Sequence, residues 1–533
     1  MELALQMLGL LTPVLIIHAF IIPFTKLFKS TRLPGIIALI GSMFAVISTT
    51  IVLFKVYTEG PMVYTYGGWP PHFGIVYEVD QLNALIGFFT AWIMFTIVVY
   101  SLWYSHHIDD PSWYYVLLIG LETGILGCLY TGDAFNLFVM LEVLSITAYG
   151  LVAYHRDRAE AVEAAAKYAL IGAVATTFYF TAVVLLYAGY GSVNMAVLSI
   201  FTRTSGAKVS AALKYISVFS VALALWVFTY KSALVPNHFW LPDAHPEAPT
   251  PVSAALSGLV VNVGVYATAR FLYTIFGPNS AIAEYREIVL SAIFTLGSLS
   301  GILGALMMMA QRDIKRLLAY STICHIGIAY MGLSAGFLSG NEEAIKLAVM
   351  GSIVHLIAHG IAKALLFMSS GVLIDAAGSR DLDEMRGIGR YYPLTSVSMI
   401  LGFLNLAGFI PFIGFYSKLL IALGYLDSGF IIGAILIIII SALSIPGYLK
   451  AISAIVFATG KEPSQRVQKT WIEPVLFAMA LSLLVLGALF QYLWPVYDEA
   501  SRAIITMNGV IEYISRAWNL IPVELKWFMG VTP

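Results

Sequence analysis

Apolar positions in this chain gather into long unbroken runs separated by short polar stretches. A bilayer core is crossed by about 20 mostly apolar residues in helical form. Runs of that kind lie near 4–25, 34–56, 82–104, 112–130, 134–154, 164–189, 213–241, 251–275, 287–309, 316–338, 345–374, 393–424, 429–457 and 470–495. The pattern predicts an all-α integral membrane protein of about fourteen transmembrane helices. The first run is too long for a signal-peptide core and lacks a small-residue cleavage site, so it reads as a retained span. No soluble domain or low-complexity linker separates the runs.

Composition agrees. Of 533 residues, 59% are hydrophobic and 11% charged, against about 25% charged in soluble chains. No soluble fold of this size hides so much apolar surface, so the solvent is lipid. The net charge of −1 implies no acidic or basic partner, and no nucleic acid. Cys128 and Cys324 both lie in apolar runs and suggest neither a disulfide framework nor a metal site.

Lys and Arg concentrate in cytoplasmic loops. With the N-terminus outside, those loops hold Lys26, Lys29, Arg32, Arg156, Arg158, Arg312, Lys315, Arg316, Arg380, Arg386, Arg390, Lys461, Arg466 and Lys469. The other side holds chiefly Arg203, Lys208, Lys214 and Arg286, with Arg502, Arg516 and Lys526 from the tail. The asymmetry predicts both termini outside a cell membrane.

Two runs are interrupted alike. The seventh contains Lys231 and then Pro236, which has no N–H for the carbonyl of Ser232. The twelfth contains Gly408, Pro411 and Gly414, then Lys418. Matching Gly/Pro breaks in two halves of a chain mark inverted-repeat transporters. The breaks are five spans apart, so spans 4–8 and 9–13 fit two five-helix units of opposite orientation. The organisation expected is a three-helix region over 1–110, repeats over 111–275 and 285–458, and a last helix with an amphipathic tail over 459–533.

A charged side chain at mid-bilayer costs on the order of 2.5–3.5 kcal/mol on insertion scales. Those present therefore pair, face water or do a job. Glu142 sits mid-span in AFNLFVMLEVLSITAYGLV and Lys231 in ALALWVFTYKSALVPNHFW. They fit a switchable pair, because burial favours a neutral amine once its carboxylate partner moves away. Interhelical glue and a static ion pair are the plainer readings. In GSIVHLIAHGIAKALLFMSSG, His355, His359 and Lys363 recur every four residues on one helix face. Histidine both accepts and releases protons near neutrality, so such a row suits proton hopping. Zinc is the rival for two histidines at that spacing. HLIAH lacks a glutamate, and Lys363 repels a cation. His325 and Lys418 are further relay candidates, although Lys418 could instead snorkel. Asp243, His245 and Glu247 form a polar loop suited to cytoplasmic proton access. Glu163 and Lys167 read as interfacial, and Glu122 as buried without an obvious partner.

The strings TGDAFNLFVMLEVLSITAYGLVAY, YKSALVPNHFWLPDAHPEAPTPVSAALSGLVVNVGVYA, QRDIKRLLAYSTICHIG, HLIAHGIAKALLFMSSG and LAGFIPFIGFYSK, over roughly 120–420, resemble the D subunit of Mrp-type sodium/proton antiporters. The same family includes the antiporter-like subunits of complex I and of archaeal membrane-bound hydrogenase and sulfur-reducing complexes. The resemblance implies fourteen spans with inverted repeats and a Glu142–Lys231 pair. It also implies a polar axis through His355, His359, Lys363 and Lys418, and work inside a larger complex of membrane subunits. Where the Mrp-type pattern usually has a lysine, this chain has Asn262, and where some complex I relatives carry a histidine it has Ser257. The short end of the chain does not match the long lateral helix of one complex I subunit type, and Trp518 and Trp527 suit an interfacial helix contacting a neighbour.

The function expected is translocation of H+, Na+ or both, by protonation switching along buried Glu, Lys and His. A scaffold subunit and a carrier of a small solute are the alternatives. Redox chemistry in this chain is disfavoured, since it has no CxxC cluster, Gly-rich nucleotide fingerprint or haem ligation pattern, and no cofactor is expected.

Overall fold

The computed structural model describes residues 2–204, 210–338, 341–459 and 470–528. Lys208, Lys461, Arg466 and Lys469 lie outside them, as does the side chain of Trp527. The helices are α1 (Glu2–Ile21), α2 (Leu33–Glu59), α3 (Gln81–Trp103), α4 (Pro111–Tyr130), α5 (Ala134–Val152), α6 (Ala159–Tyr190), α7 (Met195–Thr204), α8 (Ala211–Lys231), α9 (Trp240–Glu247), α10 (Thr250–Ile275), α11 (Ala283–Ala310), α12 (Ile314–Leu333) and α13 (Glu342–Ala377). They continue with α14 (Pro393–Ala407), α15 (Ile413–Asp427), α16 (Ile431–Ile452), α17 (Glu473–Ala488), α18 (Phe490–Ile505), α19 (Met507–Trp518) and α20 (Val523–Phe528).

The protein is an all-α, multi-pass membrane protein. Among the described residues, 12 helices are long and apolar enough to cross a bilayer, or 13 if the bent pair α17 and α18 is one span. The expected fourteen would further need α14 and α15, each 15 residues long, to share one interrupted crossing. The last apolar run is not straight, since α17 and α18 meet at 83°.

Burial sorts the helices. The most apolar windows of α10 and α12 are wholly buried, and that of α13 is 94% buried. Among the outer helices, the windows of α8 and α6 are 33% and 39% buried. Helices apolar all round form the centre, and those with an outward apolar face meet lipid. The buried charges are carried by or packed against α10, α12 and α13, where water is excluded. The backbone of α10 opens into wider π-helical turns at Leu256–Val260 and Arg270–Ile275, a distortion common at functional sites.

Both breaks are real and locally satisfied. α8 stops at Lys231, and Pro236 lies in the turn before α9. Val235 N donates to Ser300 Oγ at 2.8 Å, Asn237 Nδ2 to Thr229 Oγ1 at 3.2 Å and Trp240 Nε1 to the Tyr230 carbonyl at 3.0 Å. α10 crosses this turn at Gly264, where a Cβ would fall inside the Ser232 hydroxyl and the Phe228 carbonyl. At the second break Gly408 takes φ 87°, the left-handed cap that glycine adopts freely. Gly414 N donates to Asn405 Oδ1 at 2.9 Å across the gap.

One feature departs from the sequence reading and two add to it. Asp243, His245 and Glu247 lie on the short helix α9, not on a loop. The segment between α2 and α3 forms a hairpin of β1 (Met62–Thr65) and β2 (Val76–Val79), paired Met62 to Val79. The tail helix α19 docks on its own chain: Tyr513 and Ala517 pack on Ala196 of α7, and Arg516 donates to the Glu59 carbonyl at 3.0 Å.

Candidate functional site: a buried polar axis between two helix breaks

Lys231 ends α8 with no solvent exposure. Its Nζ donates to Ser145 Oγ at 2.5 Å and lies 5.6, 5.8 and 5.7 Å from the ring centres of Tyr149, Tyr168 and Tyr230. Each such ring stabilises an ammonium by about 0.5–2 kcal/mol. The cage is rigid, because Tyr168 stacks flat on Trp240 at 4.0 Å and Tyr230 OH donates to the Tyr168 carbonyl at 2.7 Å. Glu142, half-buried, precedes Ser145 and Tyr149 by three and seven residues on α5, which sets all three on one helix face. Its charge acts on Lys231. The lysine's hydrogen bond, however, goes to the Ser145 hydroxyl, not to the carboxylate. Among the described residues Glu142 and Lys231 form no direct ion pair; the lysine bonds Ser145, which lies one turn from Glu142 on α5.

From this break, Ser232 Oγ meets Tyr330 OH at 3.0 Å, and Tyr330 OH meets Thr268 Oγ1 at 3.2 Å. Ser257 of α10 bonds Thr322 of α12 at 2.6 Å. Asn262 donates to the carbonyls of Gly258 and Leu356, at 2.9 and 3.2 Å, stapling α10 to α13 beside the histidines. An amide there carries hydrogen bonds but no ammonium charge.

The second half holds a continuous row. Ser321 Oγ meets Tyr448 OH at 2.8 Å, and Tyr448 OH meets His325 Nε2 at 2.7 Å. His325 Nδ1 faces His355 Nε2 at 3.2 Å, and His355 Nδ1 faces Ser417 Oγ at 2.9 Å. Four helices (α12, α13, α15 and α16) contribute. His359 stands one turn along, its ring centre 6.0 Å from that of His325 and 6.4 Å from that of His355. Its two buried ring nitrogens have no protein partner. Lys363 Nζ donates to the Leu318 carbonyl at 3.1 Å. Lys418 Nζ donates to the Leu406 carbonyl at 2.6 Å, capping the broken end of α14. It is 6% exposed and turned into the break, so it does not snorkel.

Each break therefore holds a buried lysine. Alternating phenols, hydroxyls and imidazoles, each able to donate and accept, are what proton relay requires. The sequence reading missed Ser145, Tyr149, Tyr168, Tyr330, Ser417 and Tyr448. Only Ser417, next to Lys418, and Tyr448, two residues after Pro446, carried a local signal.

The expected access residues divide. Asp243 is partly exposed and pairs with Lys167 at 3.2 Å and Arg316 at 3.6 Å. Glu247 pairs with Arg158 at 2.7 Å and Arg380 at 3.3 Å. Asp243, Glu247, Lys167, Arg316 and Arg380 line a cavity of about 240 Å³. His245 is fully buried behind it and stacks on Phe367 at 4.7 Å, with neither ring nitrogen bonded. Phe367 is one turn from Lys363, so His245 lies between the cavity and the axis. Glu122 finds a partner in Ser42, whose Oγ donates at 2.9 Å.

At the opposite end, Arg270 forms a fork with Asp80, both bonds 2.6 Å and both side chains 1% exposed. Tyr266 and Tyr513 flank the guanidinium at 5.3 and 4.9 Å. Nearby, burial pushes the Glu78 carboxyl well above the usual carboxylate range and that of Asp133 up to about 7.

Two interrupted helices bracketing a lipid-shielded row of Lys, His and Tyr are the architecture of an antiporter-like membrane subunit. The chain belongs to the NADH:quinone oxidoreductase/Mrp antiporter transmembrane family, whose pattern matches residues 131–444. It is 30% identical over 450 residues to the N-type subunit of the NADH-quinone oxidoreductase of Desulforudis audaxviator, covering 84% of each chain. It is 29% identical over 489 residues to the D-type subunit of the Na(+)/H(+) antiporter of Bacillus subtilis, covering 91% of this chain and 95% of that one. In fold it resembles a chain of the archaeal membrane-bound sulfane sulfur reductase, with a TM-score of 0.86, 27% identity and coverage of 97% and 100%.

Proposed function

We propose that this chain is an ion-translocating member of a multisubunit membrane complex of the Mrp or complex I type. It moves H+, alone or in exchange for Na+, by switching protonation along its buried axis. The observation that carries this reading is the row Tyr448–His325–His355–Ser417, ending beside Lys418 at a helix break. Two inverted units, 111–275 and 285–458, would each supply one break and one buried lysine.

In this reading the face bearing Lys26, Arg158 and Arg380 is cytoplasmic. A proton arrives through the cavity at Asp243 and passes His245 towards Lys363 and the histidines. A charge change in a neighbouring protein of the complex perturbs Glu142. The effect reaches Lys231 through Ser145, and onward through Ser232, Tyr330 and the histidine row to Lys418. Asn262 makes the joint between the halves a hydrogen-bonded rather than a charged one.

Glu142→Gln keeps shape and removes charge. In the intact complex, reconstituted in vesicles, it is expected to slow translocation by at least about tenfold, roughly 1.4 kcal/mol of barrier. Unchanged flux with full assembly would discard the switching role of Glu142.

A further inference from the structure

We propose that His106, His107 and Asp375 form a divalent-metal site, suited to Zn²⁺, that ties the end of α3 to the end of α13. Nothing in the translocation path uses these residues. His106 and His107 lie in the 3₁₀ turn that continues α3, and Asp375 lies near the C-terminus of α13, 268 residues further along the chain.

Their geometry converges. One ligand atom from each residue lies within 4.8 Å of the other two. His107 Nε2 is 2.7 Å from Asp375 Oδ1, and His106 Nε2 is 3.5 Å from Oδ2. Ligand atoms about 2.0–2.2 Å from a tetrahedral zinc lie close to these separations, so small side-chain rotations admit the ion. The His106 tautomer is set for ligation. Its Nδ1 donates to the Trp103 carbonyl at 2.9 Å, which leaves the Nε2 lone pair facing the carboxylate. Such a second hydrogen bond is the usual support of a metal-binding imidazole. The three side chains are 50%, 38% and 31% exposed, so an ion arrives from water and keeps a water ligand. Both helices present their C-terminal ends, where the dipole favours a cation. Two imidazoles and one carboxylate suit zinc and its borderline neighbours better than Mg²⁺ or Ca²⁺.

The position gives the site a consequence. α13 carries His355, His359 and Lys363, and α3 packs along it. Bound metal would fix these helices at one end and restrain any shift of α13 during switching. That consequence rests on the proposed function, whereas metal binding does not.

The test uses the intact purified complex with Zn²⁺ alone, and Co²⁺ as a visible-absorption probe. Wild type is expected to bind one equivalent of metal per chain that is lost in H106A/H107A and weakened at least tenfold in D375N. Co²⁺ should give ligand-field absorption that disappears with the same changes. Identical stoichiometry and spectra in wild type and both variants would overturn the site. Zn²⁺ at site-filling concentration should slow vesicle ion flux in wild type but not in H107Q. Equal slowing in both would overturn the restraint on α13, while leaving the spectroscopic result to decide the site.

Discussion

Lys231→Ala abolishes ion translocation while the complex still assembles; that is the largest functional effect expected. The ammonium is fully buried and held by one hydroxyl and three tyrosine rings. Glu142 is half-buried and the lysine's hydrogen bond goes to a neutral hydroxyl, so the change strands no fully buried charge and folding should survive. Lys231→Arg sharpens the test. A guanidinium keeps the charge and fills the cage but does not give up its proton in a protein. A relay that needs deprotonation fails with arginine, whereas a static structural charge is satisfied by it. Vesicle flux, with assembly checked by the protein content of the complex, decides between the two. Wild-type flux in Lys231→Arg would remove deprotonation at this site from the mechanism.

Arg270→Ala should produce the largest loss of stability. It leaves the Asp80 carboxylate buried and uncompensated, a change that costs about 3–5 kcal/mol for buried pairs. Arg270 also holds the tail helix α19 through Tyr513 and bonds the Tyr266 hydroxyl at 3.0 Å. Loss of the fork should therefore lower the thermal midpoint of the purified complex and loosen α19, measured as faster amide exchange at Val510–Ala517. Arg270→Lys, which keeps charge but not the fork, should fall between. A midpoint unchanged by Arg270→Ala would show that the fork is not a structural anchor.

The parts of the fold visible in the sequence are those written locally. Apolar runs, the prolines at 236 and 411 and the four-residue spacing of His355, His359 and Lys363 each depend on neighbours along the chain. The family strings pointed to Glu142 and Lys231, and the fold brings Lys231 onto Ser145, one turn from Glu142 on α5. That serine escaped notice because a serine in an apolar helix usually bonds its own turn, and this one also bonds the Leu141 carbonyl. Tyr448 reaches His325 across 123 residues, and His107 reaches Asp375 across 268. Such contacts are products of helix packing, and no period within either segment announces them. The hairpin between α2 and α3 was lost for a different reason. Its strands are four residues each, too short to stand out between two long apolar runs. An amphipathic helix presents the same stripe to a bilayer, a neighbour or its own chain, and the fold adds Ala196 and the Glu59 carbonyl as contacts of the tail within the chain.

The resident chemistry differs between the two halves. The first sets a caged lysine, Lys231, at its break and holds Glu122, Asp133 and Arg270 buried elsewhere. The second has three histidines and two lysines on facing helices. Asn262 sits where they meet. In the proposed mechanism such a neutral joint would pass protons only along oriented hydrogen bonds, coupling the two units there by geometry more than by charge.

Proton flux into vesicles carrying the intact complex with His355→Ala addresses this most directly. His355 bonds both His325 and Ser417, so its loss cuts the row between α12 and the second break. A pH-sensitive dye trapped in the vesicles should report flux reduced at least about tenfold, about 1.4 kcal/mol, with assembly unchanged. Flux at the wild-type rate in a fully assembled complex would contradict the account.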